Sequence, residues 1–289
     1  MKVIILGSNG NLGTQLRRVF SERHDVLSLD THNSDMFDLE RLEKIIIDYQ
    51  PEIIINAVAY NNVDECEISS EARSITDSLN IILPKFLAEL CLKNSYLLVS
   101  YSSDYVFGKE TRDFPYSEWD NPNPVNYYGL SKMKGEEYVI KLGLLGLKHY
   151  LIRTSKLFGP QGSGSFTKKS FFDIMIEVSK KQAEIKVVDE EISSFTYTPD
   201  LASYTNYLVS QNYPYGIYHL VNKGQATWAQ ATETLFKFLK IAIKIVPVSG
   251  ENFSRPAKRP NYSLLDNTKM MPLPYWKQSL EIYLKKYYL

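Results

Sequence analysis

The stretch VIILGSNGNLGTQL at residues 3–16 decides the fold. Its apolar start predicts a strand over 3–6, and a helical pattern begins at Leu12 directly behind it. The glycine-rich turn between them would let the backbone approach a pyrophosphate closely, with the free amides at the helix start facing its charge. We therefore predict a dinucleotide-binding phosphate loop made of Gly7, Asn9, Gly10, Asn11, Leu12 and Gly13. A merely tight turn is the alternative.

Outward from this loop, short β-branched runs alternate with longer segments of helical period, the pattern of a parallel sheet flanked by helices. Strands are predicted at 3–6, 26–29, 53–56, 96–100 and 150–153, and helices at 12–21, 39–48, 72–93 and 128–142. The predicted fold class is α/β, a Rossmann-type doubly wound parallel sheet. The GxxGxxG spacing of the glycines is typical of the short-chain dehydrogenase/reductase type of this fold.

After residue 154 the alternation fades, and the glycine-rich segment 159–165 predicts a loop between lobes. A helix near 166–181, a strand at 185–188, a helix starting near Pro199 and a strand at 216–221 are predicted beyond it. We divide the chain into a dinucleotide-binding domain at 1–154, to which parts of roughly 184–222 return, and a smaller C-terminal substrate-binding lobe at 155–289.

Composition excludes several classes of partner. Lysine plus arginine and aspartate plus glutamate number 33 each in 289 residues, so no net field attracts nucleic acid or an anionic membrane. Cys66 and Cys91 lack metal-ligand or redox spacing, and we interpret them as free thiols. Without a leader pattern or an apolar run near the roughly 20 residues that cross a bilayer, a cytoplasmic location is expected.

The second predicted strand ends in Asp30, where an acidic residue would accept hydrogen bonds from the adenosine ribose of a dinucleotide. The carboxylate would repel a 2′-phosphate, so NADH is favoured over NADPH. A solvated strand-end aspartate is the alternative, and His32 nearby could help to tolerate a phosphate.

The stretch PVNYYGLSK at residues 124–132 contains a candidate proton donor. Residues four apart share a helix face, so Tyr128 and Lys132 project together while Tyr127 points about 100° away. A nearby ammonium is expected to lower the pKa of the Tyr128 phenol and so suit it to protonating a carbonyl oxygen as hydride arrives. Ser102 and Ser103 end the fourth predicted strand, where a hydroxyl could bind the same oxygen, and we predict Ser103, Tyr128 and Lys132 as the catalytic group.

With these residues the chain resembles the dTDP-4-dehydrorhamnose reductase family of extended short-chain dehydrogenase/reductases. The similarity runs over nearly the whole chain. It includes GSNGNLG at 7–13, PEIIINAVAYNNVDECE at 51–67, SSDYVFG at 102–108, NPVNYYGLSKMKGEE at 123–137, RTSKLFG at 153–159 and RPAKRPNYSLLDNTKM at 255–270. The resemblance implies NAD(P)H-dependent reduction of the C4 keto group of a nucleotide-linked 4-keto-6-deoxyhexose, with dTDP-4-dehydro-L-rhamnose as the first choice.

The resemblance also implies further site residues by position. Asp35 and Met36 would contact adenine, and the dinucleotide would be lined by Ala57, Val58, Ala59 and Tyr60. Val63, Asp104, Tyr105 and Tyr128 would border the sugar, and Arg259 would lie near the nucleotide diphosphate. A solvated run of basic residues is the alternative for Arg259.

Some positions depart from the family. Lys156 replaces an aromatic residue expected to shape the sugar pocket, EEISSFT at 190–196 stands where the family has DQxGxPT, and Ser165 replaces an asparagine. Gln15 stands where some members have a metal-binding glutamate, so we predict no metal. A homodimer is left open as the assembly.

Two other functions remain open. One is a reductase of a different nucleotide-linked 4-keto-6-deoxy sugar, such as one giving a D-fucose-type product. Another is a non-catalytic regulatory subunit like that of methionine adenosyltransferase, which shares the architecture. An epimerase has little support, because neither cysteine lies in the SSDYVF region and both His149 and His219 suit structural roles in strands.

Overall fold

The computed structural model describes residues 1–30, 35–164 and 167–289. Its strands are β1 Lys2–Leu6, β2 Asp25–Leu29, β3 Ile53–Asn56, β4 Leu97–Ser103, β5 His149–Thr154, β6 Leu157–Phe158, β7 Glu184–Val188, β8 Thr196–Tyr197, β9 Gly216–His219, β10 Asn222–Lys223, β11 Lys244–Val248 and β12 Leu273–Tyr275. Its α-helices are α1 Asn11–Phe20, α2 Leu39–Tyr49, α3 Glu65–Ile68, α4 Ser70–Asp77, α5 Leu83–Asn94, α6 Tyr127–Gly143, α7 Phe171–Ser179, α8 Thr198–Ser210, α9 Trp228–Leu239 and α10 Trp276–Tyr287.

Six strands form one parallel sheet in the order β2-β1-β3-β4-β5-β9. The chain winds from β1 to β2 on one side and continues through β3, β4 and β5 on the other. Ligands of such sheets bind outside the carboxyl ends of the strands, where the winding direction reverses. The predicted doubly wound α/β fold is confirmed, and its ligand-binding edge is the edge at which β1, β3 and β4 end.

Alternate residues of β1 face opposite cores. Val3 and Ile5 pack in the core beneath α1 and α8, whereas Ile4 and Leu6 pack in the core beneath α2 and α5. All four are fully buried, and burying such a side chain contributes about 1.5–3 kcal/mol. Because helices cover both faces, the strand is a continuous apolar run instead of an alternating one.

The helix predicted at 72–93 is divided by a π turn at Ser78–Ile82, between α4 and α5. Pro84 has no amide hydrogen to donate to the carbonyl four residues earlier. The Leu83 amide instead reaches the Ser78 carbonyl, five residues back. This wider turn directs the side chain of Asn80 inward, where it is 1% exposed.

The C-terminal part has a core of its own. β7 pairs with β11 in a two-stranded parallel sheet, and Phe172, Phe195 and Trp276 pack between them and the nearby helices. The segment from α8 to β9, which lies between parts of this core along the chain, returns to the large sheet, because β9 pairs with β5 and α8 packs on α1. The division at residue 154 remains a prediction.

The described chain contains no helix that combines the length and apolarity needed to cross a membrane. Cys66 and Cys91 are both buried and unpaired by disulfide, as predicted.

Candidate active site

The predicted phosphate loop joins β1 to α1 at the ligand-binding edge. The amides of Gly7 and Ser8 donate to the Leu29 carbonyl at 2.8 and 3.2 Å, which fixes the loop against the end of β2. A Cβ on Gly13 would lie 2.0 Å from the Gly7 carbonyl oxygen, so only glycine allows α1 to begin this close to the strand. This close approach gives the loop its shape.

The start of α1 suits an anion. Gly10 is the N-cap residue, and within the described residues no side chain caps the helix and no acidic residue lies in its first turn. Amides at such a helix start are donors without intrahelical partners, and they favour phosphate. The loop therefore fits the pyrophosphate of a dinucleotide.

A contact that the sequence did not predict covers the outer side of this loop. The Asn11 side chain accepts a hydrogen bond from the Gly162 amide at 2.8 Å and donates to the Lys168 carbonyl at 2.8 Å. The Gly164 amide donates to the Asn9 carbonyl at 3.0 Å. The loop between the lobes thus hydrogen-bonds to Asn9 and Asn11, two of the predicted cofactor-binding residues. Ser165 lies outside the described residues.

Asp30 is buried at the end of β2, where its carboxylate accepts a hydrogen bond from the Ser8 hydroxyl at 3.2 Å. Beyond it, Asp35 is exposed and Met36 is buried in the core under α2. His32 lies outside the described residues. The structure therefore places Asp30 beside the phosphate loop, as a ribose-binding role requires.

Residues 57–60 leave β3 at the same edge and are held by Asn80 from the π turn. The Asn80 amide group accepts from the Tyr60 amide and donates to the Tyr60 carbonyl, both at 3.0 Å, and also donates to the Ser131 hydroxyl at 3.0 Å. Ala57, Val58 and Tyr60 are half-buried and Ala59 is exposed. Asn80 was missed, although a lone polar residue in the apolar run SLNIIL could have indicated it.

Ser103 and Tyr128 come together because α6 starts directly beside the turn that follows β4. A Cβ on Gly129 would lie 2.1 Å from the Tyr105 carbonyl oxygen, and the Asn126 side chain caps the helix by accepting from the Gly129 amide at 2.8 Å. The Tyr128 and Tyr105 rings meet edge to face, 5.8 Å apart. The Tyr128 phenol lies close to the Ser103 side chain, which acts on the pKa of the phenol.

Lys132 lies one turn further along the same face of α6 and is buried. Its ammonium donates to the Tyr101 carbonyl at 2.7 Å. Burial lowers the pKa of Lys132 to about 8, and the Glu136 carboxylate opposes this shift. The predicted catalytic residues thus share one part of the edge, with the ammonium directed at the strand backbone.

The pKa of Tyr128 differs from the expectation. Burial raises the pKa of Tyr128 to about 12. The Ser103 side chain opposes this rise, and the negative charge of Asp104 adds to the rise. The expected lowering by Lys132 is not found in the chain alone, because the ammonium is turned toward Tyr101. Tyr128 is therefore a protonated phenol throughout the neutral range.

Behind Lys132 lies a buried ion pair that sequence reasoning missed. Arg153 donates three hydrogen bonds to the Glu136 carboxylate at 2.8–3.2 Å, and both side chains are 1% exposed. Arg153 also contacts Nε2 of His219 at 3.4 Å, while Nδ1 of that ring faces two backbone carbonyls. Burial lowers the pKa of His219 to about 3, so this histidine is a neutral structural group.

The predicted sugar-binding residues Asp104 and Tyr105 follow Ser103 directly. Asp104 is buried, accepts from the Ser103 hydroxyl at 3.1 Å and from the Ser263 hydroxyl at 2.6 Å, and has its pKa raised by burial. Burial also raises the pKa of Tyr105. Val63 is half-buried in the turn that precedes α3.

Lys156 follows β5 on the substrate side of Ser103. Its backbone φ is +36°, uncommon for a side chain of this size. The ammonium lies 3.8 Å from the centre of the Trp228 ring and 3.4 Å from the Glu191 carbonyl oxygen. Burial lowers the pKa of Lys156 to about 8, and Asp104 and Glu191 oppose this shift. Lys156 is thus a half-buried cation in the wall of the site.

Arg259 approaches the site from the C-terminal part and is held by Asp64. Its two terminal nitrogens donate to the two Asp64 carboxylate oxygens at 2.9 and 2.7 Å, and one of them also donates to the Ala257 carbonyl at 2.8 Å. The fork that was expected near a diphosphate is therefore engaged by a carboxylate.

The described ranges contain few candidate metal ligands close to one another. No cluster of three or more histidine, cysteine, aspartate or glutamate side chains could hold an ion there, and Gln15 is buried in α1.

A parallel sheet with a glycine phosphate loop, and a tyrosine, serine and lysine at its ligand-binding edge, define a nicotinamide-dependent enzyme of the extended short-chain dehydrogenase/reductase class. The family model for the RmlD substrate binding domain matches residues 1–289. The chain belongs to this family, which confirms the resemblance to dTDP-4-dehydrorhamnose reductases.

Individual relatives are similar over almost their whole length. The spore coat polysaccharide biosynthesis protein SpsK of Bacillus subtilis is 30% identical, over 99% of this chain and 97% of its own. A probable dTDP-4,6-dihydroxy-2-methyloxan-3-one 4-ketoreductase of Streptomyces antibioticus is 32% identical over 97% and 93%. The crystal structure of dTDP-4-dehydrorhamnose reductase from Bacillus anthracis in complex with NADP is 32% identical, covers 99% of both chains and superposes with a TM-score of 0.90.

Proposed function

We propose that this protein reduces the C4 keto group of a nucleotide-linked 4-keto-6-deoxyhexose with NADH or NADPH. The first choice of reaction converts dTDP-4-dehydro-L-rhamnose to dTDP-L-rhamnose. The observation that carries the proposal is the placement of the Tyr128 phenol beside Ser103 at the ligand-binding edge of the sheet, in a chain that belongs to this reductase family.

The bound nicotinamide nucleotide supplies the hydride, and Gly7 to Gly13, Asp30, residues 57–60 and Lys132 would hold it. Tyr128 gives its proton to the C4 oxygen as that oxygen gains negative charge. Ser103 orients the carbonyl by donating its single hydroxyl proton to the C4 oxygen, which requires the proton to turn away from Asp104, its acceptor at 3.1 Å in the structure. Lys132 holds the cofactor ribose and provides the positive charge that stabilises the phenolate left on Tyr128.

A second candidate is a reductase of another nucleotide-linked 4-keto-6-deoxy sugar. It is favoured by Lys156, a half-buried cation where the family places an aromatic side chain, which would change how the wall meets the sugar ring. The Streptomyces antibioticus relative also carries the name of a different 4-ketoreductase.

A panel of 4-keto-6-deoxy sugar nucleotides tests the proposal, with NADH and NADPH oxidation followed at 340 nm, a wavelength typical of reduced nicotinamides. Each sugar is assayed with and without a separate 3,5-epimerase. Activity that depends on the epimerase identifies the L-rhamnose route, and activity without it identifies a D-sugar such as fucose. Tight cofactor binding without oxidation by any sugar would reject the reductase and favour the regulatory subunit.

The reaction is expected to lose rate at alkaline pH. The free-enzyme profile of kcat/KM should be flat below pH 8 and fall as pH rises through the Lys132 pKa of about 8, because the ammonium that stabilises the phenolate is lost. Tyr128, with its pKa at about 12, remains protonated across this range. A profile that stays flat to pH 10 would contradict the role of Lys132.

NADH is the expected cofactor, because Asp30 would accept ribose hydroxyls and repel a 2′-phosphate. An Asp30→Ser variant should lose about 10- to 100-fold in kcat/KM with NADH, as expected for a hydrogen bond to a charged group worth about 1.5–3 kcal/mol, and should gain with NADPH. Measuring both cofactors on both proteins checks this. A wild-type protein that strongly prefers NADPH would refute it; the Bacillus anthracis relative was crystallised with NADP.

Three further expectations accompany this function. The dinucleotide domain at 1–154 and substrate lobe at 155–289 would close on the sugar from two sides. A homodimer and a cytoplasmic location both suit an enzyme of nucleotide-sugar metabolism. Light scattering of the purified protein tests whether it forms a homodimer.

A further inference from the structure

A cavity of about 430 Å³ opens beside the candidate active site, on the side of the C-terminal part. Charged side chains dominate its wall, three basic and three acidic: Arg255, Lys258, Arg259, Glu190, Glu191 and Glu251. Glu191 connects it to the sugar-facing wall, because the Glu191 carbonyl oxygen is the one that contacts Lys156. A group bound in this cavity would therefore adjoin a sugar placed at Tyr128.

Arg255 and Arg259 both line this cavity, and they differ in how many of their guanidinium donors are already in use. Arg259 uses three of its donors, two for the Asp64 carboxylate and one for the Ala257 carbonyl. Arg255 has one ion pair, at 2.6 Å from its Nη2 to the Glu191 carboxylate, and this is its single polar contact within the described ranges. A guanidinium carries five N–H donors in a planar fork, so most donors of Arg255 are free for a ligand.

Glu191 is a suitable partner for Arg255 if the guanidinium moves between this carboxylate and a bound phosphate. Its carboxylate is 4% exposed and keeps a second anchor, the Trp228 indole, which donates at 2.8 Å. When a phosphate draws Arg255 toward the cavity, Glu191 keeps the hydrogen bond that the Trp228 indole donates to its other carboxylate oxygen. Glu191 stands where the family pattern has glutamine, and a glutamine would not hold Arg255 by charge.

We propose that Arg255 is a diphosphate-binding residue of the nucleotide-sugar site, held between substrates by Glu191, and that it binds the phosphates more directly than Arg259. The planar fork matches phosphate oxygens, and such charge-assisted hydrogen bonds are the strong ones. The carboxylate at Glu191 competes with the phosphates for the same guanidinium. The inference rests on the nucleotide-sugar substrate proposed above.

Calorimetric titration of the full chain, saturated with NADH to block the phosphate loop, tests this site. The probes are dTDP, pyrophosphate and thymidine. Arg255→Gln should weaken dTDP and pyrophosphate binding about 10- to 100-fold and leave thymidine binding unchanged. Lys258→Gln is the matched control, since it removes one positive charge from the same wall, and it should change dTDP binding less than 3-fold, roughly the effect of an exposed charge.

Glu191→Gln separates binding from a structural role. The amide still accepts from the Trp228 indole but no longer holds Arg255, so dTDP should bind roughly 3- to 10-fold more tightly. If the ion pair only stabilises the fold, Arg255→Gln and Glu191→Gln would lower dTDP affinity and melting temperature together, and the proposal would be overturned.

Kinetics distinguish failure of this inference from failure of the proposed function. Arg255→Gln should raise KM for the nucleotide sugar about 10-fold, with kcat within about 3-fold, because the phosphates are remote from the reacting carbonyl. Turnover with unchanged KM would reject the diphosphate role and keep the reductase. Arg255-dependent dTDP binding without turnover of any sugar would keep the site and reject the reductase.

Discussion

Replacing Tyr128 by phenylalanine is expected to lower kcat about 10²- to 10⁴-fold, the range typical of a lost general acid. The phenol is the proposed proton donor to the C4 oxygen, and it lies beside the Ser103 side chain. The change removes one oxygen and leaves the ring in its edge-to-face contact with Tyr105. Single-turnover NADH oxidation with the active sugar measures the chemical step, and calorimetry should find NADH affinity unchanged.

Tyr127→Phe is the matched control, because it removes the neighbouring phenol from the same helix turn. Tyr127 donates to Asp77 at 2.8 Å and lies under the Arg73 guanidinium, 4.8 Å from ring centre to that group. Its loss should cost about 1 kcal/mol of stability, as for one hydrogen bond, and leave kcat within about 2-fold. Equal losses of kcat in both variants would contradict the assignment of Tyr128.

The sequence predicts the strands of the large sheet and the strand–turn–helix around the glycine-rich loop because both follow from local rules. Strands buried on both faces must be apolar at every position, and Val3 to Leu6 satisfy this without reference to the rest of the chain. The helix face shared by Tyr128 and Lys132 likewise follows from a spacing of four. The π turn at Ser78–Ile82 was missed because its cause, Pro84, is also tolerated in the first turn of a helix.

The electrostatics of the site follow from contacts between distant parts of the chain. Asp64 and Arg259 are 195 residues apart, and neither segment alone shows that the arginine fork is already engaged. The direction of the Lys132 side chain is also invisible in the sequence. The spacing places Lys132 beside Tyr128, whereas in the structure the Lys132 ammonium donates to the Tyr101 carbonyl. Burial is the largest cause of the pKa shifts of both Tyr128 and Lys132.

The Glu136–Arg153 pair shows how such a contact supports the site without touching the substrate. Glu136 lies one turn beyond Lys132 on α6, and its negative charge opposes the lowering of the Lys132 pKa by burial. Arg153, on β5, shares that charge through three hydrogen bonds. The pair therefore fixes α6 to the sheet and sets how strongly the lysine holds its proton.

Arg153→Met is expected to destabilise the protein by about 3–5 kcal/mol, because it leaves the Glu136 carboxylate buried without its partner. For a chain of this length that corresponds to a loss of about 5–8 °C in melting temperature, measurable by calorimetry. The double variant Glu136→Leu/Arg153→Met should recover most of the loss, since an apolar replacement of both charges is often neutral. If the single variant loses less than about 1 kcal/mol, the pair is not a buried ion pair in solution.

The same variant connects stability to chemistry. Without Arg153, the full charge of Glu136 acts on Lys132 and raises its pKa, since that carboxylate already opposes the effect of burial. The alkaline fall in kcat/KM should then move to higher pH in Arg153→Met and to lower pH in the double variant, where no carboxylate remains. Opposite shifts of the pH profile of kcat/KM in the two variants would show that the Glu136–Arg153 pair controls the pKa of Lys132. A purely structural contact would change the melting temperature and leave both pH profiles unchanged.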